Sequence, residues 1–154
     1  MSKRYFEDFA VGEVSKPSGR VRVEKDEIIA FAKKYDPQPF HLDEAAAKQS
    51  VFGRLVASGW HTAAITMGLI ARNDDRPAAG TIGLGFDSMR WPMPVLPGDE
   101  LRIESEVLDL RPSKSRPDRG LMKIRTRTLN QNGEVVQDLT ANIMVPRRPP
   151  GEKE

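Results

Sequence analysis

The chain has 154 residues, with 24 basic and 22 acidic side chains, 38% hydrophobic residues and no cysteine. That length suits a single domain with a sizeable core. The near balance of charge argues against bulk nucleic-acid binding, and the lack of cysteine excludes disulfides, a thiol nucleophile and a Cys-type zinc site.

The stretch from Met1 to Asp8 lacks the apolar run of a signal peptide. The longest mostly apolar stretch, Trp60 to Ala71, is too short to span a bilayer. A soluble, cytoplasmic protein with no membrane partner is expected. Residues 5–14 place Tyr5, Phe6, Phe9, Val11 and Val14 around Gly12, a short strand or turn against the body. Arg20 to Val23 alternates weakly as a strand. Then the period changes: Ile28, Phe31, Ala32 and Tyr35 fall at i, i+3, i+4, i+7, one face of a helix. Asp26 and Glu27 sit in its first turn and Lys33 and Lys34 in its last, which suits the helix dipole. Pro37 ends it.

After the turn that follows, Asp43 is placed to cap a short helix over 44–48, with Glu44 and Lys48 paired at i, i+4. A third helix over 60–71 is apolar on nearly every face and should be buried, with Ser58 as its N-cap. The second half reads as strands. Leu84 and Phe86 alternate with glycines, and Pro97-Gly98 fits the centre of a type II turn. Leu101, Ile103 and Val107 alternate with charged residues, as do Met122 and Ile124. Asn130 to Gly133 is a hairpin turn, and Val135, Leu139, Ala141, Ile143 and Val145 form the return strand. Helices followed by an antiparallel meander predict an α+β domain over 1–146, a curved sheet wrapped around the apolar helix. Residues 147–154 are polar and Pro-rich and read as a disordered tail.

The chemistry concentrates in Tyr35-Asp36-Pro37-Gln38-Pro39-Phe40-His41-Leu42-Asp43. Each proline pushes the residue before it out of helical φ/ψ. Asp36 and His41 are thus held on a stiff turn, in a fixed relation that acid–base chemistry can use. A plain helix-to-helix connection with His41 as a polar cap also fits these residues. Gly59, at the start of the buried helix, offers a backbone N–H to an oxyanion, and Ser58 either caps that helix or touches a ligand. His61 reads as a packed, hydrogen-bonded core histidine. No spacing of His, Asp and Glu asks for a metal. Gly83 and Gly85 mark either sheet curvature or close backbone approach. Lys114, Arg116 and Arg119 form a basic loop, solvated on the simplest view, and Arg90 is a further cation.

Asp36-Pro37-Gln38-Pro39-Phe40-His41-Leu42-Asp43 resembles the hydratase motif of the MaoC-like family, the (R)-specific enoyl-CoA hydratases. Val56-Ala57-Ser58-Gly59-Trp60 and Pro97-Gly98-Asp99 resemble later pieces of that family in the right order, so the likeness runs from about residue 5 to 146. Gln38 stands where the family commonly has Asn, and the serine that some members carry on the central helix falls near Met67 here. The resemblance implies a hot-dog fold, usually dimeric, and Asp36 and His41 as the catalytic pair. It also implies syn addition of water to an enoyl-CoA to give an (R)-3-hydroxyacyl-CoA. On that basis Gln38 and Ser58 are expected to contact substrate and Gly59 to hold the thioester oxygen. Coenzyme A is part of the substrate, and no separate cofactor is expected. A hot-dog thioesterase and a non-catalytic acyl-thioester-binding domain are the competing readings.

Overall fold

A computed structural model describes residues 3–152. Two short strands, β1 (Val14–Ser15) and β2 (Val21–Arg22), precede four helices: α1 (Lys25–Tyr35), α2 (Pro39–Leu42), α3 (Glu44–Lys48) and α4 (Gly59–Ala71). Four longer strands follow: β3 (Ile82–Arg90), β4 (Glu100–Pro112), β5 (Arg119–Leu129) and β6 (Val135–Pro146). They form one antiparallel sheet in the order β1-β4-β5-β6-β3, with β2 also pairing with β4. The sheet curves around α4, as the sequence predicts.

The turns obey their residues. Gly98 has φ +87° and Asp99 N–H donates to Leu96 O at 3.1 Å, the closure expected of Pro97-Gly98. Gly133 has φ +75° and donates to Asn130 O at 3.0 Å, which closes the β5–β6 hairpin. α1 stops at Tyr35 before Pro37, and Pro39 opens α2 at its first position, where the missing N–H costs nothing. Asp43 caps α3 through Ala45 N–H and Ala46 N–H.

One core cluster joins α1 and α3 to the sheet through Val23, Ile28, Ala47, Leu55, Leu101 and Val136. Ile28 is fully buried there. Truncating it to alanine would cost about 2–5 kcal/mol. A second cluster, around Val107, Met122, Ile143 and Val145, lies further along the strands and takes in Phe6 and Phe9. Ile103, Ser105 and Thr126 face the cavity beneath α4. The residues between them point the other way, where Glu104 meets Arg102 and Arg127, Arg125 meets Asp138, and Lys123 meets Asp87. The outer face of the sheet is therefore a ladder of charges in solvent.

Three expectations need correction. α4 is not buried all round: His61, Thr62, Thr66 and Leu69 are, but Trp60, Ala64, Met67 and Ala71 form an exposed stripe. One sheet covers one side of a helix, and the other side needs a different cover. β3 exposes apolar side chains as well, with Leu84 and Phe86 57% and 58% exposed. Residues 147–152, expected as a free tail, are tied down. Arg147 pairs with Glu7 and Arg148 with Asp8, and Tyr5 Oη donates to Glu152 Oε2 at 2.8 Å. Residues 153 and 154 of that expected tail lie outside the described residues. Finally, the alternation of β6 is broken by a register shift at Leu129, so Val136 and Gln137 are both fully buried.

Candidate active site

α1 supplies Asp36 from its C-terminal end. Asp36 has left helical geometry (φ −151°, ψ 70°), yet its N–H still bonds to Ala32 O at 2.9 Å. Two residues on, Gln38 N–H donates to Asp36 O at 2.7 Å. Pro39 then starts the single turn α2, which carries His41 inward to 6% exposure. The sequence predicts a stiff turn here and misses that its second half is helical.

His41 Nδ1 lies 2.7 Å from Val56 O. A carbonyl can only accept, so Nδ1 carries the proton, and the neutral ring leaves a lone pair on Nε2. Val56 is itself clamped, its N–H donating to Phe40 O at 3.1 Å. Nε2 stands 3.4 Å from Asp36 Oδ2. This is long for a hydrogen bond and leaves the two acceptors in reach of one shared proton donor. Ser58 Oγ donates to the same Oδ2 at 2.7 Å and accepts from Trp60 N–H at 3.2 Å. Ser58 thus caps α4 and anchors Asp36 with one hydroxyl.

Gly59 is the first residue of α4, where a backbone N–H has no acceptor within the helix. A Cβ at this position would come within 2.6 Å of the Trp91 indole. Glycine is required here because a tryptophan packs flat on the helix start. His41, Gly59 and Thr62 share a cavity of about 340 Å³ with Phe40, Phe52, Trp91 and Met93, an apolar lining around a few polar groups. Asp36 is not one of its lining residues but lies beside His41.

The other predicted residues fall elsewhere. Gln38 is exposed, makes no side-chain cap bond and does not line the cavity. His61 is packed as expected, its ring stacked on Phe31 at 4.7 Å, but its buried Nδ1 has no hydrogen-bond partner. Burial lowers its pKa, with the charge of Glu27 opposing. Lys114, Arg116 and Arg119 sit at the β4–β5 turn, roughly 30 Å or more along β4 from Leu101 at the catalytic end. Arg119 there pairs with Asp118. Arg90 ends β3 opposite Asp138. Gly83 and Gly85 flank a register shift in β3, the curvature alternative. Among the described residues no three His, Cys, Asp or Glu side chains are grouped to hold a metal, and no helix is long and apolar enough to cross a membrane. Sequence reasoning missed Trp91 and Gln137. A lone Trp before a Pro-rich stretch gives no sign of packing on Gly59, and Gln137 looks like a surface residue in an apolar strand.

The MaoC like domain family model matches residues 8–128. The chain is 31% identical over 141 residues to the uncharacterized protein YdeM of Bacillus subtilis, covering 92% of this chain and 98% of that one. It is 33% identical over 121 residues to the (R)-specific enoyl-CoA hydratase of Aeromonas caviae, covering 78% and 84%. The crystal structure of a MaoC-like dehydratase from Rhodospirillum rubrum superposes with a TM-score of 0.90 at 55% identity, covering 95% of this chain and 99% of that one. The fold is the hot-dog fold shared with these hydratases.

Proposed function

The chain belongs to the MaoC-like dehydratase family, and from that premise we propose that it interconverts an enoyl-CoA and a (R)-3-hydroxyacyl-CoA. The observation that carries this reading is the His41 Nδ1 bond to Val56 O, which turns Nε2 toward Asp36 Oδ2 at 3.4 Å and makes Nε2 the acceptor of the neutral ring. Water held between them gives one proton to Nε2 as its oxygen attacks Cβ. The enolate that forms on the thioester is held at the Gly59 N–H, where the start of α4 favours negative charge. The proton then returns to Cα on the same face, through Asp36 or from His41 directly. One water is consumed and no other reactant is needed. Ser58 keeps the Asp36 carboxylate turned toward His41.

Two copies pair, in this proposal, across the apolar stripe of α4 and the free edge of β3. Exposed Trp60, Met67, Leu84 and Phe86 support this, with Met67 and Phe86 lining one cavity, because large apolar side chains left exposed near one another mark an interaction surface.

The test is the loss of conjugated enoyl-thioester absorbance with crotonyl-CoA. Asp36→Asn and His41→Ala should each lower kcat by about 10²–10⁴-fold. The double variant should be little worse than either single one, since the pair acts as a unit. Hydration that survives Asp36→Asn, or free CoA thiol in place of 3-hydroxyacyl-CoA, would overturn the proposal, the second result in favour of a thioesterase.

A further inference from the structure

The donor proposed for the enolate is a single N–H at the start of α4, and helix ends are where backbone order is weakest. Two side chains hold that end. Ser58 caps it by accepting from Trp60 N–H at 3.2 Å. Trp91, one residue past the end of β3, lies against it from outside the helix. A Cβ on Gly59 would come within 2.6 to 2.9 Å of three indole atoms, Cε2, Cδ2 and Cζ2. The ring therefore rests on the side of Gly59 that only a hydrogen can occupy.

The indole is itself placed by a buried chain of hydrogen bonds. Trp91 Nε1 donates to Gln137 Oε1 at 2.9 Å, and Gln137 Nε2 donates to Thr66 Oγ1 at 3.3 Å. Thr66 Oγ1 meets Thr128 Oγ1 at 2.6 Å. Thr66 belongs to α4 too, seven residues after Gly59 and about 10 Å, or two turns, along the axis. The contacts thus close a circuit that leaves the first residue of α4, crosses the indole and the amide, and returns to the middle of the same helix. A ring bonded to Gln137 while it rests on Gly59 cannot slide along α4 without breaking a bond. The Trp60 ring meets it edge-on, 5.5 Å between centroids. Gln137 has no exposed surface and does not line the cavity that holds His41. A buried amide in an apolar strand adds little net stability over an apolar side chain of the same shape, but a satisfied network fixes positions.

We propose that Trp91 is the positioning residue of the oxyanion site: its indole, placed by Gln137 and Thr66, holds the Gly59 N–H where the thioester oxygen gains charge. This inference rests on the hydratase reading above. An oxyanion donor is worth about 10²–10³ in kcat, and a displacement of ~1 Å forfeits much of that. The charge develops only after attack, so the effect falls on kcat and spares KM.

The experiment measures kcat and KM for crotonyl-CoA in the wild type, Gln137→Met, Trp91→Phe and the double variant. Gln137→Met keeps the volume and loses both hydrogen bonds, and Trp91→Phe keeps an aromatic ring and loses its N–H. Gln137→Met should lower kcat by about tenfold or more with KM within about twofold. The double variant should be no worse than the poorer single one, because both cut one circuit. Thr66→Val cuts it from the helix side and replaces Gln137→Met should that variant not fold, and Thr66→Ser restores the hydroxyl and should restore kcat. Acetoacetyl-CoA gives a readout without hydration, since its enolate absorbs in the near ultraviolet and carries part of its charge on the thioester oxygen. The wild type should raise the enolate fraction of the bound ligand, and Gln137→Met should lower it again while the calorimetric affinity for butyryl-CoA stays the same. Absent hydration of crotonyl-CoA together with that loss of bound enolate in Gln137→Met would sink the hydratase reading and uphold the positioning role. A folded Gln137→Met with unchanged kcat and unchanged enolate fraction, in a protein that does hydrate crotonyl-CoA, overturns the positioning role and leaves the hydratase reading standing.

Discussion

Ser58 Oγ sits at the crossing of two roles, since it caps α4 through Trp60 N–H and holds Asp36 Oδ2 at 2.7 Å. Ser58→Ala should lose about 1 kcal/mol of stability as a missing cap. It should also lower kcat by roughly tenfold as the carboxylate loses a donor, with KM little changed. Urea melts and steady-state kinetics separate the two effects, and Ser58→Thr should restore both. His61 makes a different demand. Its pKa is lowered by burial, so between that value and the ordinary histidine pKa near 6.5 the unfolded chain binds more protons than the folded one. Its contribution to stability is flat above about pH 6.5 and falls as pH drops below that, by no more than about 1.4 kcal/mol per pH unit. Midpoints of urea unfolding from pH 7.5 to 5 should show the decline. His61→Phe, which keeps the stack on Phe31, should show a shallower one.

Among the elements, the end of α1 was legible in the sequence because proline acts locally: Pro37 and Pro39 dictate the turn that carries Asp36 and His41, although the helical turn α2 within it was not. The hairpin at Asn130–Gly133 was legible for the same reason. Three features were not. The two-sidedness of α4 depends on how much of it a single sheet reaches. The inward turn of Gln137 depends on a register shift whose cause lies in strand pairing with β5. The anchoring of residues 147–152 depends on Glu7 and Asp8, 140 residues away in the chain. That anchor has a steric keystone. The ring of Phe6 lies against Gly120 at the start of β5, where an added Cβ would collide with it. Gly120→Ala should cost about 1–3 kcal/mol by overpacking. The signature is faster amide exchange in residues 4–9 with exchange in β5 and β6 unchanged. Slowed or unaltered exchange there would show that the N-terminal segment is held some other way.

At the scale of the molecule, the proposed pairing covers the apolar stripe of α4 and the exposed residues of β3, and light scattering should then report twice the mass of a single chain. Leu84→Lys with Phe86→Lys places two charges in the proposed contact and should shift the protein to monomer. A wild type that is already monomeric would remove the pairing from the proposal. The two margins of the sheet are unlike. β3 offers nine residues to a neighbour, whereas the opposite margin is broken into β1 and β2 of two residues each. A long open margin invites another chain, and a short interrupted one does not. Pairing β3 with β3 by a two-fold axis, as proposed, would use the nine-residue margin of each copy. In such a pair the short strands β1 and β2 and the charged outer face would be left outside, so growth would stop at two chains and the route to a fibril would be closed by geometry rather than by solubility.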